Sequence, residues 1–188
     1  MFGLRRAGAL KRLLLSLLLT FACGFVHAGC IESPDPAIRR LQALAIADPN
    51  KALSGAQAML ARNKAGHAPA EKLAWLYAVR AEAYSALELD AEARVAAAQG
   101  MKLVHDASAP VRLELFMTDA ENVYDAEGMA DAKHGVEALQ ARNDIDASAQ
   151  RCLAITLGML QFRENRADQA ITTLTQVYRA ADAPGSAW

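Results

Sequence analysis

Apolar positions in residues 73–102 recur at helical spacing in two successive runs. Leu73, Leu76, Tyr77, Ala83, Tyr84 and Leu87 fall on one stripe, while Glu71, Lys72, Glu82 and Glu88 mostly take the other side. Glu88-Leu89-Asp90 interrupts the pattern. A second helix then opens with Ala91, Glu92 and Ala93, residues that let two antiparallel helices approach closely. The spacing predicts a helix-turn-helix unit, and the rest of the chain repeats its plan.

Upstream, Asp35 can cap a helix whose first turn holds Pro36 and whose apolar residues are Ile38, Leu41 and Leu44. Asp48-Pro49 repeats that signal for a helix carrying Leu53, Met59 and Leu60, ending near Asn63 or Gly66. Ala68-Pro69 opens the third helix, and its partner runs from about Asp90 to Val104. Ser108-Ala109-Pro110 starts the next, with Leu113, Phe116, Met117, Ala120, Val123 and Tyr124 as its buried stripe and Gly128 as its end. Met129 to Arg142 follows. From Asp146 to Glu164 the chain is apolar on more than one side, which predicts a helix packed on two faces. Ile171, Thr172, Thr173, Thr175 and Val177 give the stretch from Ala167 to Asp182 a strand-like composition. Ile171, Leu174 and Tyr178 nevertheless keep helical spacing, so a helix is predicted there too. Residues 183–188 form a tail whose Ser186-Ala187-Trp188 resembles the opening of a further helix.

Residues 1–28 read as an address rather than as structure. Arg5, Arg6, Lys11 and Arg12 precede an apolar run from Leu13 to Phe25, and Val26-His27-Ala28 supplies a signal-peptidase site, so that the exported chain starts at Gly29. The run is too short for an ordinary membrane span. Removal of those four basic residues leaves 16 of the 20 Lys+Arg against 21 Asp+Glu, a net charge of about −5, which gives no case for nucleic acid and none for a membrane after cleavage. Residues 29–35 are then a proline-containing lead-in. Lipidation of Cys30 is disfavoured by His27, which stands where a lipobox has an aliphatic residue. Cys152, between apolar neighbours on a helix, reads ordinarily as a buried free thiol, with a disulfide to Cys30 as the alternative.

The second helices of four successive pairs align on an early alanine: Ala52, Ala93, Ala132 and Ala170, spaced 41, 39 and 38 residues apart. A near-constant period means that each unit buries its apolar face against its neighbours. Ala81, Tyr84 and Ala93 match the small–aromatic–alanine pattern of the tetratricopeptide (TPR) family, and Gly158 with Ala170 matches it in part, Gln161 replacing the aromatic. Over residues 36–182 the chain resembles that family, with a longer period and without the helix-ending proline. The resemblance implies an all-α fold, an α-solenoid of about four antiparallel helix pairs in a right-handed superhelix. DPNKALSGAQAMLAR, AWLYAVRAEAYSAL and LGMLQFRENRADQAITTLTQVYRAAD are also similar to the periplasmic repeat sensor regions of bacterial GGDEF diguanylate cyclases.

In TPR-like arrays the first helix of each pair lines a concave groove. Transferred from Ala81 and Tyr84, that register directs Trp75, Glu82 and Ser85 to the groove, then Glu114, Met117, Glu121, Tyr124 and Asp125, then Met159, Phe162 and Arg163. Aromatic anchors among carboxylates suit an extended peptide or helix bearing basic residues. Arg80 falls on an apolar stripe, where its stem can pack while the guanidinium pairs with a carboxylate. His67, His105 and His134 belong to no catalytic or metal-binding motif, so no cofactor and no enzymatic activity are expected. The expected function is an exported scaffold for a protein or peptide. The alternative is the sensory region of a membrane-bound diguanylate cyclase, cut before its membrane span. A homodimer through the exposed last repeat competes with that truncation as the cover for its apolar face.

Overall fold

The computed structural model describes residues 30–181. The proposed signal segment and the tail at 183–188 lie outside them. Among the described residues the protein is all-helical, with eight helices: α1 Pro36–Ala47, α2 Pro49–Ala65, α3 Ala70–Ala86, α4 Asp90–Met101, α5 Pro110–Glu121, α6 Ala126–Gln140, α7 Ala147–Arg163 and α8 Ala167–Ala181. None of them is long and apolar enough to cross a membrane. The β-branched last segment is helix, as its spacing requires.

Side-chain caps set several of the boundaries. Asp35 accepts from the N–H groups of Ala37 and Ile38 at the start of α1, and Asp146 accepts from Ser148 and Ala149 at the start of α7. Gly128 does not end a helix, as its sequence context suggests. It sits in the first turn of α6, where its N–H donates to Asp125 at 2.7 Å. The helix before it stops at Glu121, so Val123 and Tyr124 lie beyond it.

Carbonyls at helix ends are taken by side chains of later helices. Arg112 on α5 donates to the carbonyls of Met101 and Val104 behind α4, and Gln150 on α7 donates to those of Gln140 and Arg142 behind α6. Each link ties a helix end to the element that packs on it.

Each helix packs on its successor, and α1, α3, α5 and α7 also form a series in which each packs on the next. The aligned alanines Ala52, Ala93, Ala132 and Ala170 are all buried. α3 is central, touching α1, α2, α4 and α5. Its residues Ala74 to Val79 and Ala81 to Ala83 are consequently buried around almost the whole circumference, Glu82 among them. Small residues allow this approach: a Cβ on Gly100 of α4 would stand 2.7 Å from a Leu115 methyl and 3.0 Å from Tyr77 Cβ.

The turns after α3 and α7 close alike. Glu88 and Asn165, each five residues before an aligned alanine, have φ of 58° and 61°, and the next N–H reaches back to Tyr84 and to Gln161. A glutamate gains nothing in this left-handed conformation. Glu88→Gly is therefore expected to stabilise the fold by about 0.5–1 kcal/mol, read as a higher urea midpoint at unchanged slope.

Candidate functional site

The lead-in segment is bound rather than trailing. Gln42 on α1 grips its backbone twice: its side-chain oxygen accepts the Ser33 N–H at 2.8 Å, and its side-chain amide donates to the Ile31 carbonyl at 3.2 Å. On α5, a Glu114 oxygen accepts the Ile31 N–H at 3.0 Å. At α7, Cys152 forms a disulfide with Cys30, their Cα atoms 5.9 Å apart. The Ile31 side chain packs against both apolar clusters of the fold. A Lys72–Asp35 ion pair of 2.8 Å fixes the segment's far end against α3, and it holds the Asp35 carboxyl below its usual range together with the Ala37 N–H. Residues 30–35 thus form a strap held by α1, α3, α5 and α7.

The disulfide settles the choice left open for Cys152, which is not a free thiol. It also uses the Cys30 sulfur that a thioether-linked lipid would need. From sequence the pairing had no firm signal, because the lead-in could reach many places.

An acidic cluster stands beside the strap. Glu82 is only 9% exposed and Glu114 only 5%. Their carboxyls face each other, and Glu121 adds its charge to both. Burial is the first cause pushing Glu82 up, followed by the charge of Glu114; burial likewise pushes Glu114 up to about 7. Gln42 and Glu114 stand close enough to influence the Glu82 proton, yet neither Glu82 oxygen has a hydrogen bond of normal geometry among the described residues. Glu121, less buried, accepts from the Thr156 hydroxyl on α7 at 3.2 Å.

Raised carboxyls make the native state bind more protons than the unfolded chain. Their stabilising contribution is complete below the unfolded value of 4.5 and is lost as the pH rises through the folded value near 7. For the 188-residue chain the Glu114 shift corresponds to about 2–3 kcal/mol lost between pH 5 and pH 8. Glu114→Gln keeps an acceptor for Ile31 and is expected to remove most of that loss, measured by urea unfolding at the two pH values.

The other groove candidates separate into different settings. Trp75 is 2% exposed and belongs to the core, with its indole N–H unpartnered among the described residues. Met117 is buried in the second apolar cluster. Ser85 and Met159 are half-buried, and Phe162 lies at the surface. Asp125 is the N-cap of α6, not a groove residue on α5. Tyr124, 58% exposed, lies under the Arg163 guanidinium, 4.7 Å from its ring centre. Arg163 also donates to the Glu121 and Val123 carbonyls, closing the end of α5. Arg80 lies over the rings of Tyr77 and Tyr84 and makes no ion pair among the described residues. α3 and α5 therefore bring together Glu82, Glu114 and Glu121; reasoning from spacing missed Gln42 and Ile31, and held the bridge from Cys30 only as an alternative.

No family model, characterised protein or solved structure matches this chain. Among the described residues no group of His, Cys, Asp and Glu has an arrangement that could hold a metal ion.

Proposed function

We propose that this protein is an exported, TPR-like α-solenoid of four helix pairs that holds a protein or peptide in the groove lined by its first helices. The strap carries this reading. A segment without regular structure lies across α1, α5 and α7, held through backbone groups by Gln42 and Glu114, and backbone capture is how a groove accepts an extended ligand. The series of packed first helices and the four buried alanines support the solenoid. A disulfide fits an oxidising compartment, in keeping with periplasmic export. The role is binding rather than catalysis.

The test uses the strap's own sequence in trans. In a Cys30→Ser chain, a synthetic peptide with the sequence of residues 30–35 is expected to form a mixed disulfide with Cys152 at least tenfold faster than a scrambled peptide of equal composition. Gln42→Ala is expected to remove that preference. Equal rates for the two peptides, followed by mass spectrometry, would reject backbone recognition.

The sensory-region reading draws on a different observation. Ile171 and Tyr178 on α8 are 42% and 69% exposed, an apolar face on which another helix or a second copy could pack. Light scattering on the exported chain separates these, because a dimer through α8 doubles the mass and Tyr178→Glu returns it to that of the monomer.

A further inference from the structure

We propose that Glu82 and Glu114 form a receptor for one ammonium group, and that its occupant is the α-ammonium of Gly29 exposed when the chain is cut after Ala28. This deepens the export reading above and rests on it. A buried carboxylate must take up a proton or meet a cation. Glu82 and Glu114 make no ion pair with a Lys, Arg or His among the described residues, and both Glu82 oxygens are unpartnered there. Among the described residues, the groups around them add no positive charge. α1 contributes the neutral Gln42, α5 contributes Glu121, and on α7 Thr156 is neutral while Arg163 is turned to the carbonyls at the end of α5.

The strap arrives at this cluster with its N-terminal side. Ile31 N–H already donates to Glu114, and Cys30 is fixed by its disulfide. Gly29 itself lies outside the described residues. Its nitrogen is two peptide units from that of Ile31, at most about 7 Å of chain, so a new amine there cannot leave the vicinity of the carboxylates while the bridge is closed. In the uncut chain the same nitrogen is a neutral amide. Cleavage would thus deliver one positive charge to a place where Glu82 and Glu114 have no counter-ion among the described residues, and processing would lock the strap in the groove.

The experiment compares two exported full chains: the natural one, and one with Ser-Gln-Gln inserted after Ala28, which adds no small-residue cleavage site and moves the amine away from the cluster. N-terminal sequencing of both comes first, then thermal melts at pH 7.5 and titration of the α-amine by NMR. The natural chain is expected to start at Gly29, to melt roughly 4 °C or more above the extended one, and to hold its amine above the ordinary value of about 8. Glu82→Gln should close most of the melting gap while both chains still fold. An uncut natural chain overturns the export reading and this proposal together, and a cut at another position overturns the proposal alone. A Gly29 start with equal melts and an ordinary amine overturns the ammonium receptor alone. If 5 mM n-butylammonium stabilises the natural and extended chains equally, the pocket takes a free amine and the chain's own terminus is not its occupant.

Discussion

Reduction of the Cys30–Cys152 bridge is expected to lower the stability of the oxidised protein by about 3–5 kcal/mol. The bridge spans 122 residues of sequence, so opening it returns to the unfolded chain the entropy of a very long loop. Part of the loss is local. Freed from Cys152, the strap depends on three backbone hydrogen bonds, the burial of Ile31 and the Lys72–Asp35 ion pair to stay down, and α1 loses its covalent tie to α7 through the strap. Thermal melts with and without a phosphine reductant measure the whole effect. A Cys30→Ser/Cys152→Ser pair measures it without a reductant. An unchanged melt would mean that the bridge does not hold the fold together.

Trp75→Ala should be comparably damaging, at about 3–5 kcal/mol, because the side chain fills the interior where α3 meets its neighbours. Trp75→Phe should cost far less, about 1 kcal/mol, since it retains a ring and deletes a buried indole N–H that has no partner among the described residues. This contrast identifies Trp75 as core. Were Trp75 a surface anchor for a ligand, Trp75→Ala would leave the urea midpoint nearly unchanged and alter only binding.

The helices were readable from local chemistry. Asp35-Pro36 and Asp146 cap helices where their residue types indicate, and Leu174 and Tyr178 give α8 its period despite its threonines. Gly128 misled because a glycine in a first turn and a glycine past a last turn are the same letter. What differs is Asp125, which caps the following helix instead of extending the preceding one.

The site was less readable, for a physical reason. Whether Glu82 faces water depends on which helices surround α3, and amphipathic spacing describes one helix at a time. Once four neighbours enclose α3, a carboxylate on its polar side becomes buried. The register taken from Ala81 and Tyr84 singled out Glu114, but its partner, the Ile31 backbone, lies 83 residues away and leaves no pattern in sequence. Gln42 is hidden in the same way. Its role depends on an amide side chain meeting both backbone edges of a segment that precedes it in the chain.

The most direct test of the bound strap is amide hydrogen exchange at Ile31 and Ser33 in the oxidised protein. Their N–H groups donate to Glu114 and Gln42 and belong to no helix, so an unbound lead-in would leave both in water. The account predicts exchange at least a hundredfold slower than in a free peptide of the same sequence, with Gln42→Ala speeding up Ser33. Exchange of both amides at free-peptide rates, in protein whose helices remain protected, would contradict it.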